Sequence, residues 1–155
     1  MIAGVDGIGQ VKLPVTDLAR SIRWYREVLE LRLWTEIVED GVLRGAGMID
    51  EQARFCIALR DRAHCASQPD LRGFDVVALH PTSREVLDAL VERCERLGTE
   101  HSGIRYRPGG AWLDIPDPDG TVLRFYHHND PTDRFTGIEF RAGELAGCYD
   151  TPRSL

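Results

Sequence analysis

Three side chains join reactive chemistry to a place on a strand-like run: Lys12, His80 and Arg124. Lys12 is the only lysine among 19 basic residues. In a dry site a lysine amine gives up its proton more readily and becomes a base or a Schiff-base nucleophile. His80 carries an imidazole, the side chain most often used to accept and donate a proton in catalysis. Arg124 is a fixed cation whose forked donors suit a carboxylate, phenolate or enolate oxygen. Together they describe deprotonation next to a carbonyl, with isomerisation or cyclisation as the outcome, or the retention of an anionic molecule without chemistry.

Each residue also has a plainer reading. Arg124 can pair with Asp114 across neighbouring strands, and Lys12 with Glu36 or Glu39. His80 precedes Pro81 at a strand end, where a solvated imidazole is ordinary. His127 and His128 are adjacent on a strand, so they face opposite ways and cannot both enter one site. His64 and His101 lie in polar stretches without an evident partner.

Side chains alternate along a strand, so residues two apart share a face. One parity is uniformly apolar: Val11 and Leu13, Val77 and Leu79, Leu123 and Phe125. It suits packing under helices. The other parity carries Gln10 and Lys12 on the first run. It carries Phe74, Val76, Ala78 and His80 on the second, and Val122, Arg124, Tyr126 and His128 on the last. Trp34 and Trp112 add flat surface. A cavity lined this way suits a medium-sized, partly aromatic molecule bearing an anionic oxygen.

The elements that carry these residues occur twice. Residues 8–14 read as a strand, capped into a helix by Thr16 or Asp17 and running to about Glu30 on the apolar spacing of Leu18, Ile22, Tyr25, Val28 and Leu29. Short strands follow near 31–38, 42–49 and 54–60. The order then restarts. A strand spans 74–80, and Thr82 with Glu85 has capping-box spacing. A helix stops at Gly98, and strands follow near 103–107, 111–115 and 121–128. A shift of 66 residues carries Gln10–Leu13 onto Val76–Leu79 and Phe55–Leu59 onto Thr121–Phe125. One offset serving separate elements marks a tandem repeat of β-α-β-β-β units. A single helix cannot cover both faces of such a sheet, so two units pair and leave a cupped cavity between them.

The fold class is thus α+β: two tandem βαβββ modules forming a cupped, barrel-like sheet. The first module spans 1–61, a polar linker with Pro69 spans 62–72, the second module spans 73–128, and a tail spans 129–155, packed on the surface or on a second subunit.

Bulk properties narrow the function classes. A formal net charge of -6, with 43% hydrophobic and 28% charged residues, argues against a nucleic-acid partner and fits a soluble globular chain. No apolar run approaches a bilayer span, and the N-terminus lacks a leader pattern, so the expected location is cytoplasmic. Cys56, Cys65, Cys94 and Cys148 form no CxxC pair, so no zinc-knuckle or redox motif is present.

The opening QVKLPVTDLARSIRWYREVLEL and the closing IPDPDGTVLRFY resemble the vicinal-oxygen-chelate superfamily, which holds glyoxalases, bleomycin-resistance proteins and dioxygenases. The DPDG turn has its own logic, because Asp and Gly accept tight-turn geometry and Pro118 fixes one dihedral. The resemblance covers roughly residues 7–128 and implies fold more than chemistry. It also implies a homodimer and, in metal-dependent relatives, ligands on the first and last strands of each module. Those slots here are Gln10, Ala58, Val76 and Arg124. Only Gln10 offers a ligand atom, while Arg124 would repel a cation. The expectation is therefore no metal and no other cofactor, with Gln10, Lys12, Phe74, Val76, Ala78, His80, Trp112, Arg124, Tyr126 and His128 contacting a small organic ligand, as in the drug-sequestering members. The alternative is a glyoxalase- or dioxygenase-like enzyme. It would be either a metal-independent isomerase or lyase using Lys12, His80 and Arg124, or a metal-dependent one whose ligands lie elsewhere.

Overall fold

Strand β1 (Val11–Val15) buries Leu13 and Val15 completely, with Pro14 between them also buried, while Lys12 ahead of them stays exposed. The strand enters the core as it runs, from half-buried Val11 to the buried stretch Leu13–Val15. Helix α1 (Leu18–Val28) follows, with Asp17 as its N-cap accepting from the Arg20 amide at 2.9 Å. Strands β2 (Arg32–Glu39), β3 (Val42–Ile49) and β4 (Cys56–Asp61) complete the first module. The second repeats the order: β5 (Asp75–Leu79), α2 (Glu85–Leu97), β6 (Arg105–Arg107), β7 (Gly110–Pro116) and β8 (Val122–His128). The computed structural model describes residues 4, 7–52, 54–107, 109–129 and 136–154.

The two sheets have matching topology, β1-β4-β3-β2 and β5-β8-β7-β6, with the first and last strands of each module parallel. Lys12 lies opposite Ala58 and Ala78 opposite Arg124, so the 66-residue repeat holds at the level of strand register. One local difference breaks it. In β5, Asp75 pairs with Val122 and Val77 with Leu123, which leaves Val76 as a bulged extra residue. Val76 packs against the core, and Asp75 takes the outward position beside Val122.

The cap of α2 also departs from the sequence reading. The TSRE capping box does not form: Arg84 is the N-cap without a side-chain bond, and Ser83, not Thr82, pairs with Glu85. Gly98 ends the helix in the left-handed conformation, as its position predicts. The tail, read as unpatterned, contains a hairpin of β9 (Gly137–Arg141) and β10 (Glu144–Tyr149).

The modules join through their helices and inner sheet faces. Tyr25 and Val28 of α1, Leu87, Leu90 and Cys94 of α2, and Leu13, Leu59, Leu113 and Leu123 of the strands form one continuous buried cluster. Side chains also latch the modules together. The Tyr25 hydroxyl donates to Asp117 Oδ2 at 3.0 Å, Thr16 donates through both its amide and its hydroxyl to the Asp119 carboxylate, and Arg93 meets Glu30 at 2.7 Å. The contact between the modules of one chain is thus a filled core, and the two sheets do not close into a barrel. Among the described residues the space between the modules is an open groove beside α2 and not a closed cup, because the apolar faces of both sheets meet the helices. Among the described residues no helix is long and apolar enough to cross a membrane.

Candidate functional site

On the outer face of the first sheet, Lys12, Ala58, Gly47 and Thr35 lie in one row across the four strands. Small residues in the middle keep the row low. A Cβ on Gly47 would approach Thr35 Cγ2 to 2.8 Å and the Trp34 ring to 3.5 Å. Trp34 is 62% exposed on this sheet. Lys12 is exposed as well, and among the described residues it pairs with neither Glu36 nor Glu39. Gln10, also exposed, precedes β1.

On the second sheet the matching row is Ala78, Arg124 and Asp114. Arg124 donates to Asp114 through Nε at 2.8 Å and through Nη2 at 2.9 Å, the two-pronged arrangement that matches a guanidinium to a carboxylate. Its Nη1 lies 2.5 Å from Asp75, which the bulge at Val76 has brought to the same face. The hydrogen bonds it donates to Asp114, then the charges of Asp114 and Asp75, hold the guanidinium above its usual pKa against the opposing effect of burial. All three nitrogens of Arg124 are thus engaged within the chain, which is the plainer of its two readings.

Beside that ion triad runs a row of rings. Trp112 stacks on Tyr126 at 6.5 Å between centroids, and Tyr126 meets His128 edge-on at 4.3 Å. His80 lies 5.9 Å from His128, and its Nδ1 contacts the Tyr126 carbonyl at 3.2 Å. When the ring is neutral, donation from Nδ1 to that carbonyl leaves Nε2 with its lone pair free. His80 also faces His127 at 6.3 Å, so the two adjacent histidines of β8 flank it from different sides. Phe74 precedes β5 and is 57% exposed. Of the sequence-identified residues, Ala78, His80, Trp112, Arg124, Tyr126 and His128 therefore come together on the second sheet. Lys12 sits on the first with Gln10 just ahead of it, and Val76 is the bulged residue packed against the core. Separately, His80 and Leu79 border a groove of about 620 Å³ between the modules, walled by Leu31, Phe55, Leu90 and Phe125.

Residues 7–125 match the family model described as Glyoxalase/Bleomycin resistance protein/Dioxygenase superfamily. The chain belongs to this superfamily. Among solved structures, a glyoxylase/bleomycin resistance protein/dioxygenase domain from Frankia sp. EAN1pec is similar at a TM-score of 0.70 and 25% identity, covering 83% of this chain and 96% of that one. TnmS3, an antibiotic binding protein from Streptomyces sp. CB03234, has the same fold at a TM-score of 0.67 and 20% identity, covering 81% of this chain and 98% of that one. A lactoylglutathione lyase from Agrobacterium tumefaciens does so at 0.61 and 19%, covering 79% and 94%. No curated protein is a significant match.

The superfamily includes metal enzymes, so the slots must be tested against a divalent ion. Gln10 offers an amide oxygen and Ala58 offers nothing. The bulge replaces Val76 with the Asp75 carboxylate, but that carboxylate is committed to Arg124, and Arg124 itself fills the last slot with positive charge. A cation placed there would meet a fixed guanidinium at the position of a ligand. Among the described residues no group of three His, Cys, Asp or Glu is arranged to hold a metal ion. The residues present do not fit the family's metal.

Sequence reasoning missed Asp75, because a one-residue bulge leaves no mark in the apolar pattern. It also missed Arg107, whose guanidinium lies over the Trp112 ring at 4.4 Å. The alternation of Arg105, Tyr106 and Arg107 opposite Trp112 was the available signal.

Proposed function

We propose that the protein binds a small, partly aromatic, anionic organic molecule, without a metal ion, in a cleft between modules that a second copy of the chain completes. The observation that carries this reading is Arg124: a cation held by Asp114 and Asp75 in the position of a metal ligand, next to an aromatic row on an open sheet face. A loose ligand slot that had lost its metal would leave buried donors unpaired. Here the slot has been rebuilt as a closed ion network, and the neighbouring rings remain to contact a ligand.

The second copy follows from where the site faces. The inner faces of both modules are consumed by the shared core, so the mixed faces of a single chain look into solvent. Leu33, Trp34, Val38 and Val42 on β2 and β3 are all more than a third exposed, and apolar surface of this kind marks an association site. The fold shared with an antibiotic binding protein supports sequestration, in resistance or natural-product handling, as the biological setting.

A metal-independent isomerase or lyase is favoured by one observation alone, the contact of His80 Nδ1 with the Tyr126 carbonyl, which in the neutral ring leaves Nε2 as the acceptor nitrogen. Lys12 and Arg124 lend it less, since they sit on different sheets and Arg124 is fully paired.

The test is a ligand screen of aromatic acids and phenols read by tryptophan fluorescence, with sedimentation equilibrium and elemental analysis on the same sample. Saturable binding by a metal-free dimer supports the reading. A monomer that binds nothing, or stoichiometric metal retained through chelator dialysis, contradicts it.

A further inference from the structure

We infer that Arg107, not Arg124, is the anion receptor of this site, and that the ligand it takes is a planar aromatic carboxylate laid along Tyr126. The inference rests on the binding reading above and names its charge partner and ligand class.

The cations available to the second sheet's outer face differ in what already holds them. Arg124 is engaged by Asp114 and Asp75. Arg84 bonds Asp88 at 2.7 Å and also contacts the Tyr106 hydroxyl. Arg107 has no ion pair among the described residues. Instead, its guanidinium carbon lies 4.4 Å from the centroid of Trp112 and 4.5 Å from that of Phe140 in β9. Two rings therefore lie against the guanidinium at van der Waals range. Its N–H donors point outward in its own plane, so the two rings leave the edge free while restraining its orientation. A half-buried cation presented this way is matched by a planar two-oxygen acceptor, for which little side-chain entropy remains to be lost.

Two glycines shape the strand pair beside Arg107. Arg107 lies opposite Gly110 in the β6–β7 ladder. A Cβ on Gly110 would stand 2.1 Å from the His127 carbonyl oxygen, so the strands approach too closely for any side chain there. A Cβ on Gly109 would lie 3.8 Å from the Tyr126 hydroxyl. With neither side chain present, a ring set against Tyr126 can direct a coplanar carboxylate at Arg107. The arrangement also gives the tail a role: Phe140 supplies the second of the two rings.

The test is calorimetric titration of the full chain with 2-naphthoate and with its uncharged analogue, 2-naphthamide. The expected result is naphthoate binding at least tenfold tighter than naphthamide, the size of a charge-assisted pair. Arg107→Gln should reduce naphthoate to the naphthamide level and leave naphthamide unchanged, Arg107→Lys should recover part of the loss, and Arg105→Gln should change neither. Circular dichroism on each variant separates a lost receptor from a lost fold. Equal binding of the two probes, or naphthoate binding unmoved in Arg107→Gln, overturns the role of Arg107 while leaving a binding protein standing. Binding of neither probe overturns the ligand class, and with it Arg107, whereas the broader reading falls only if the full screen is also empty.

Discussion

Asp114 grips Arg124 from the adjacent strand with two hydrogen bonds, 2.8 Å at Nε and 2.9 Å at Nη2, and Asp75 closes the remaining side at 2.5 Å. Removing the cation leaves two carboxylates facing one another on the sheet. Arg124→Leu should cost about 1–2 kcal/mol at neutral pH, the value of charged hydrogen bonds discounted for partial exposure. The deficit should shrink in Arg124→Leu/Asp114→Leu. Urea unfolding of the two variants checks both statements.

Tyr25 ties the first helix to the turn between β7 and β8. Its hydroxyl is fully buried and donates to Asp117, and burial first, then the Asp117 charge, pushes its pKa well up, so it keeps its proton. Tyr25→Phe leaves a buried carboxylate one donor short. A loss of about 1–2 kcal/mol is expected by chemical denaturation.

Two carboxylates give stability opposite pH dependences. The hydrogen bond from Arg44, 2.7 Å long, lowers the Asp61 pKa, so its contribution is present above the ordinary carboxylate value and is lost as pH falls through the depressed one. Arg44→Met should therefore cost about 1 kcal/mol at pH 7 and almost nothing near pH 2. Asp117 runs the other way. Burial raises its pKa despite the donors around it, so its contribution is greatest in acid and declines as pH rises through the raised value. Asp117→Asn should gain on the native protein between pH 4 and pH 7. Urea midpoints across that range read both effects.

Much of the fold was legible because the repeat is written in apolar parity. Val11 and Leu13, Val77 and Leu79, and Leu123 and Phe125 mark inward faces, and the same 66-residue offset recurs as strand register at Lys12–Ala58 and Ala78–Arg124. Arg124 pairing with Asp114 was legible from the adjacency of their strands. Three things were not. The bulge at Val76 adds a residue without changing composition, and so hid Asp75. The direction in which the modules face depends on which surfaces the helices cover, and an apolar parity is the same whether it meets a helix or another sheet. The tail hairpin does alternate apolar residues at Ile138, Phe140 and Ala142, but three glycines and a short run obscure it, and nothing local marks Phe140 as a partner of Arg107.

Gly110 sets the spacing of β7 against β8. Any side chain there overlaps the His127 carbonyl, and backbone on both sides prevents relief. Gly110→Ala should lower stability by about 3 kcal/mol, the upper range for overpacking, and should abolish ligand binding even where the protein stays folded. Thermal melting and titration of the purified variant distinguish the two losses.

The central claim is that a small anionic ligand is held by side chains alone. Ligand affinity measured before and after exhaustive chelator dialysis tests it most directly. The account predicts the same Kd in both samples, with no change on adding back manganese, nickel, zinc or iron. Binding that disappears with the chelator and returns with one divalent ion would contradict it.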